Sequence, residues 1–447
     1  MNIGMMHFRT GETDGVSLEM DKWRYVLEKQ GHHVIYIAGS GHPTDQNLRI
    51  IQELHYKNPI NDHIVNKAYA DYDPDYKAEK LKNEIDEYAY VIEEKLINII
   101  EDEKIDVLIP NNVLSLGWNV GAGMATAKAI QKTGIQAIAH HHDFHWEREL
   151  YSSPNYEFIG DMLETYFPPR YENLDHVVIN GIAKGELKKR YGIDATIVPN
   201  VFDFEGMSLE QDTYNVDMKE ALEIPKNAVI FLQATRIVER KGIELAIDVI
   251  SKMNEEKHKI MGKTLYNGQR ITEETEFLLV FAGLNESEDY YSKLLKHAEL
   301  KGVQVLNINN RIDHVRKERN QKKIYSLWDA YLLADFITYP SLLEGFGNQF
   351  LEAIFAKKPL ILYEYPVFED YIKGFGFEYV SLGNEHHQKE NALVTVSSDV
   401  VNKCADEVIN TLLQSQTYKN MIQKNYQICK EYFSYGTLEN LVASLVK

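Results

Sequence analysis

Pro340-Ser341-Leu342-Leu343-Glu344-Gly345-Phe346-Gly347-Asn348-Gln349-Phe350-Leu351-Glu352-Ala353 sets one carboxylate before a glycine-rich turn and a second on the segment that follows. The apolar run 336–339 ahead of it reads as a buried strand, Pro340 and the two glycines as its carboxyl-end loop, and Phe350, Leu351 and Ile354 as the start of a helical face. Open α/β sheets bind ligands at the carboxyl ends of their strands. Amides at the start of a helix over 348–357, Asn348 first, would face a diphosphate, and Gly345 and Gly347 permit close backbone approach. Glu344 then falls beside a sugar and Glu352 beside a ribose, a layout that suits a nucleotide-sugar.

A second element lies upstream, where the apolar strand 229–233 runs into Ala234-Thr235-Arg236 and a helix begins near Lys241-Gly242. Arg offers a planar fork to phosphate oxygens and Lys a compact point charge, so Arg236 and Lys241 can neutralise a leaving diphosphate. One cation alone is more often a solvated surface charge. Four charged groups at corresponding ends of neighbouring βα units are harder to dismiss.

The pattern Arg236, four residues, Lys241-Gly242, then Glu344-Gly345-Phe346-Gly347, four residues, Glu352-Ala353 resembles the donor half of family-4 retaining glycosyltransferases of GT-B architecture. That resemblance implies an α/β fold of two Rossmann-like doubly wound domains facing across a cleft, with a C-terminal helix crossing back to the first domain. It implies transfer of a hexose from a nucleoside-diphosphate sugar to a hydroxyl of a carbohydrate or small polar acceptor, with retention. Arg236 and Lys241 would hold the donor diphosphate, Glu344 with the amides of Gly345, Phe346 and Gly347 the transferred sugar, and Glu352 the ribose. The family usually continues with Gly-x-Pro-Val and paired glycines, whereas this chain reads Ala356-Lys357-Lys358-Pro359-Leu360 and carries no paired glycines there. A phosphorylase or a nucleotide-sugar epimerase can use the same fold.

At 447 residues the chain exceeds the size at which one core keeps growing. The expected borders are 1–205 for an acceptor-binding domain, 206–425 for a nucleotide-sugar-binding domain and 426–447 for the returning helix. Strands are expected at 3–8, 34–37, 107–109, 137–140, 177–179 and 196–198, then at 229–233, 277–282, 304–307, 336–339 and 360–362. Residues 40–75 lack periodicity and read as an insertion or long loop, and Leu81, Ile85, Tyr88, Ile92, Leu96 and Ile99 mark one amphipathic helix.

A net charge of −19 disfavours nucleic acid and anionic membranes as partners. No stretch approaches the roughly 20 apolar residues of a membrane span, and the amino terminus lacks a basic leader, so a cytoplasmic protein is expected. Cys404 and Cys429, the only cysteines, match no metal or redox spacing and read as reduced thiols. Oligomeric state is not legible. No Gly-x-Gly-x-x-Gly follows the first strand, which argues against a dinucleotide-dependent dehydrogenase.

In the first domain, Ala139-His140-His141-His142-Asp143-Phe144-His145-Trp146-Glu147-Arg148 follows an apolar strand and sets imidazoles and carboxylates at the carboxyl edge of the sheet. Consecutive His side chains of an extended segment do not easily converge on zinc, so sugar binding ranks above metal binding. The resemblance, aligned on the His-Asp pair, selects His142 as the contact to the transferred sugar, with His140 or His141 as alternatives. Asp14 and Gly15, ahead of a helix, could reach the acceptor and the donor phosphates, or form an ordinary turn. Arg148, His140 and the pair Asn111-Asn112 could bind acceptor hydroxyls or an acidic group, or face solvent. No metal or other cofactor is expected beyond the nucleotide-sugar co-substrate, because Arg236 and Lys241 already supply positive charge.

Overall fold

In the computed structural model, which describes all residues except Thr13, Met207 and Lys447, the chain divides into two compact units. The first comprises Met1–Val201 with Tyr435–Lys447, and the second Phe202–Ser434. The sequence reading set these borders at 205 and 425.

The first unit is built on seven parallel strands: β1 (Asn2–His7), β2 (His33–Ala38), β3 (Leu48–Ile50), β4 (Val107–Pro110), β5 (Gln136–His141), β6 (Leu174–Val178) and β7 (Thr196–Ile197). Their spatial order is 3-2-1-4-5-6-7, the doubly wound arrangement whose direction reverses between β1 and β4. Alternation along β1 sorts its side chains between two cores. Ile3 and Met5 join Trp23, Val26, Leu438 and Val442, while Met6 and Phe8 join Ile85, Ile92 and Leu96. The first core lies under helices Gly15–Lys29 and Tyr435–Leu445, which pack on each other. Leu438 and Val442 are fully buried there, each contributing about 1.5–3 kcal/mol, so the last helix is an integral part of the first unit. The second core lies under the long helix Ala78–Asp102, the amphipathic segment of the sequence reading.

Residues 40–75 are more ordered than expected. Leu48–Ile50 adds the edge strand β3 to β2, and a helix follows at Pro59–Val65. Three ladder residues inside a polar stretch leave no period-2 signal to read.

The second unit holds six parallel strands: β8 (Val229–Gln233), β9 (Phe277–Phe281), β10 (Gln304–Asn307), β11 (Phe336–Tyr339), β12 (Leu360–Leu362) and β13 (Val380–Ser381). Their order is 10-9-8-11-12-13, so the reversal falls between β8 and β11. Every residue of β8, β9, β11 and β12 is buried, as a parallel sheet covered on both faces requires. Two polar residues inside this apolar sheet join the strands at the reversal: the Thr338 hydroxyl donates to Gln233 Oε1 at 2.6 Å. No helix among the described residues is long and apolar enough to cross a membrane.

Candidate functional site

The strand order brings the loop after β8 and the loop after β11 together. Leu342 N–H donates to the Arg240 carbonyl at 2.9 Å, and the Arg240 guanidinium donates to the Leu343 carbonyl at 2.9 Å. Gly242, at φ 55°, makes the approach possible, since a Cβ there would stand 2.7 Å from the Pro340 carbonyl oxygen.

Across this junction the Lys241 ammonium is ion-paired with Glu344 Oε1, and Arg240 reaches Glu344 Oε2 at 3.1 Å. The Lys241 and Glu344 side chains are only 4% and 10% exposed. Burial pushes the Glu344 carboxyl up, but Lys241 and then Arg240 outweigh it and hold the group below its usual range. For Lys241, burial lowers the ammonium's proton affinity, Glu344 opposes that, and the Arg240 and Arg236 charges add to the lowering. The result is a fixed carboxylate, able only to accept hydrogen bonds, beside a desolvated cation.

Arg236, in the same loop after β8, has a different partner. Its guanidinium is 49% exposed and pairs with Glu286 at 2.8 Å, not with Glu344. The strand order explains this, because β9 flanks β8 on the side away from β11. The segment after β9 is joined to the loop after β8 by an Ile237–Asn285 bridge. Arg236 leans toward β9, whereas Arg240 and Lys241 lean toward β11.

The turn after Glu344 is shaped by Gly347. Its φ of 107° belongs to glycine, and an added Cβ would stand 2.8 Å from the Tyr339 hydroxyl and collide with that of Tyr365. Helix Asn348–Phe355 starts directly behind it. The Phe346 ring packs on Phe433 and its carbonyl accepts from the Tyr365 hydroxyl at 2.7 Å, so Phe346 contributes backbone to the turn. Glu352, one helical stretch further, accepts from the Tyr331 hydroxyl at 2.9 Å. Lys241, Glu344, Gly345, Gly347 and Asn348 therefore share one junction, with Arg236 at its β9 side.

In the first unit, the carboxyl ends of β1, β4 and β5 converge. Asn112, at φ 59°, accepts from the His142 and Asp143 amides at 2.7 and 3.3 Å, and its own amide group donates to Asp143 Oδ1 at 2.7 Å. Arg148 pairs with the other oxygen of Asp143. His140 is buried against Trp23, and the half-buried His142 ring lies tilted against it, centroids 4.2 Å apart. His141 turns away and bonds His176 at 3.0 Å, which removes it from the edge. Asp14 caps helix Gly15–Lys29, accepting from the Val16 and Ser17 amides at 3.2 Å, and also pairs with Arg9. The space beside Gly15 is open. Thr13 of the same loop lies outside the described residues.

Two features escaped the sequence reading. Arg240 holds Glu344, and its only sequence signal is adjacency to Lys241. His7, at the end of β1, is buried and donates to the Asn111 carbonyl at 2.7 Å, and its signal is one imidazole closing an apolar strand.

Two doubly wound units, one carrying a lysine–glutamate pair at its topological switch point, share the fold of GT-B glycosyltransferases. Residues 216–427 match the model of the family described as glycosyl transferases group 1, and the chain belongs to one glycosyltransferase family with the two synthases that follow. Over 433 residues it is 40% identical to the mannosylglucosylglycerate synthase of Petrotoga mobilis, covering 97% of this chain and 98% of that protein. It is 39% identical over 446 residues to the mannosylglucosylglycerate synthase of Thermotoga maritima, covering 99% of each. Among solved structures, Anabaena HepE in complex with UDP superposes with a TM-score of 0.61 at 12% identity, over 100% of this chain and 99% of that one, a likeness of fold. The protein is thus a glycosyltransferase, and a hexosyltransferase by its kinship.

Proposed function

We propose that this enzyme takes a hexose from a nucleoside-diphosphate sugar and places it, with retention of configuration, on a hydroxyl of a carbohydrate acceptor. The name of its relatives points to mannose as the hexose and glucosylglycerate as the acceptor. The observation that carries this reading is the buried Lys241–Glu344 pair at the reversal of the second sheet, where doubly wound folds take ligands.

The donor diphosphate lies against Lys241, Arg236 and the first amides of helix Asn348–Phe355, and Glu352 holds the ribose. Negative charge grows on the diphosphate as the bond to the sugar breaks, so preplaced cations and amides lower the barrier more than uniform substrate binding does. These groups supply the positive charge without a metal. Glu344, fixed as an anion, accepts hydrogen bonds from the sugar hydroxyls. The acceptor hydroxyl attacks the anomeric carbon on the face the diphosphate leaves, and a diphosphate oxygen takes its proton, so no protein nucleophile is needed. Asp14, His140 and Arg148, at the carboxyl edge of the first sheet, are assigned to the acceptor.

The test is incubation with UDP-, GDP- and ADP-hexoses, with and without glucosylglycerate, read by mass spectrometry. The reading expects one nucleoside diphosphate released and an acceptor heavier by one hexose, whose anomeric proton matches the donor's configuration. Intact donors throughout would refute it.

A further inference from the structure

One asparagine orders three imidazoles at the carboxyl edge of the first sheet. The Asn111 side-chain nitrogen faces the Ile109 carbonyl at 3.1 Å. A carbonyl only accepts, so this contact fixes the amide's orientation and turns its oxygen toward the imidazoles. That oxygen lies 3.0 Å from His140 Nδ1 and 3.4 Å from His142 Nε2. Both ring nitrogens must therefore carry hydrogen. The Asn111 backbone carbonyl lies 2.7 Å from His7 Nδ1, which must carry hydrogen for the same reason.

Burial keeps all three rings neutral. It lowers His7 to about 4, His140 to about 3 and His142 well below the ordinary value, the last helped by the neighbouring His140 and His7. A neutral imidazole with hydrogen on one nitrogen bears a lone pair on the other. The lone pairs consequently fall on His7 Nε2, His140 Nε2 and His142 Nδ1, and of these His140 Nε2 is buried with no hydrogen-bond partner among the described residues. A buried acceptor left unmatched costs free energy that a ligand can return.

We propose that Asn111 is a positioning residue of the acceptor-binding edge, fixing His7, His140 and His142 each in a single tautomer so that ring lone pairs meet the hydroxyl protons of a sugar. The inference rests on the transfer reading only for the identity of the ligand. A face of lone pairs favours polyols and rejects carboxylates and phosphates, which themselves bring only acceptors. The glycosyl part of the acceptor belongs here, and its anionic end elsewhere.

Long-range proton–nitrogen NMR on the full chain labelled with ¹⁵N-histidine reads the tautomers directly. The expected result is hydrogen on Nδ1 of His7 and His140 and on Nε2 of His142. The opposite tautomer at His140 or His142 overturns the inference, with no variant needed. In Asn111→Leu the His140 and His142 signals should become tautomer mixtures. The acceptor KM should rise roughly 4- to 10-fold, because each ring then binds only from the fraction in the right tautomer, with the donor KM unchanged. An unchanged acceptor KM, or equal losses for donor and acceptor, also overturns it. Because the NMR readout needs no substrate, its failure sinks this inference alone, whereas absence of turnover by the unaltered chain sinks the transfer reading.

Discussion

Lys241 and Glu344 stand 103 positions apart in the chain, yet they form one buried ion pair across the two loops that flank the reversal of the second sheet. Such a pair costs desolvation and is weak evidence for stability. Its placement where a doubly wound sheet receives ligands fits the proposed reaction, in which Glu344 offsets the burial of the cation until the diphosphate binds.

Removing one partner leaves a buried charge. Lys241→Ala should lower the unfolding free energy by about 2–4 kcal/mol, at the lower side of the usual cost of an orphaned buried charge because Arg240 still touches Glu344. Denaturant unfolding of Lys241→Ala and of Lys241→Ala/Glu344→Gln measures this. The double variant should recover part of the loss.

Arg236 supplies the contrasting case. Its pair with Glu286 is exposed, a setting worth about 0–1 kcal/mol. Arg236→Ala should therefore leave the melting temperature within a degree or two while lowering turnover by roughly 10- to 100-fold through lost charge at the diphosphate. A large drop in melting temperature with normal turnover would reverse the assignment.

Gly347→Ala forces a side chain onto φ 107° and against the Tyr339 and Tyr365 hydroxyls. A loss of about 1–3 kcal/mol is expected from the backbone alone, with weaker donor binding by calorimetry. Gly15→Ala is the control, since the space beside Gly15 is open. It should cost stability little.

The buried histidines set an acid limit. His7 has an ordinary value of 6.5 and is lowered to about 4, so between those pH values the unfolded chain binds a proton that the folded chain does not. Stability should thus fall as pH drops from 6.5 toward 4, by on the order of 3 kcal/mol from this one group. His140 acts with the same sign over a wider span. His7→Gln should flatten the dependence of the urea midpoint on pH, and an unflattened curve would remove His7 as its source.

Much of the fold could be read because parallel strands buried on both faces leave continuous apolar runs, as at 229–233, 277–281 and 336–339. β3 at Leu48–Ile50 and β13 at Val380–Ser381 were not legible, being three and two residues long and held by register on a neighbour rather than by their own pattern. At the site, Lys241, Glu344 and Gly347 stood out by spacing. Which arginine meets Glu344 was hidden, since Arg236 and Arg240 differ only in the side of β8 they face, and that follows from the strand order. Asp14 keeps both of its readings, because a helix cap and a loop ligand share the same letters. The role of Asn111 depends on hydrogen-bond directions, which no spacing records.

The most direct test is turnover of a nucleoside-diphosphate hexose by Lys241→Ala beside the unaltered enzyme, at saturating acceptor and with folding confirmed by circular dichroism. The account expects nucleoside diphosphate release to fall by at least about 100-fold, the scale for losing a group aimed at transition-state charge. A folded Lys241→Ala protein that releases nucleoside diphosphate at the rate of the unaltered enzyme contradicts it.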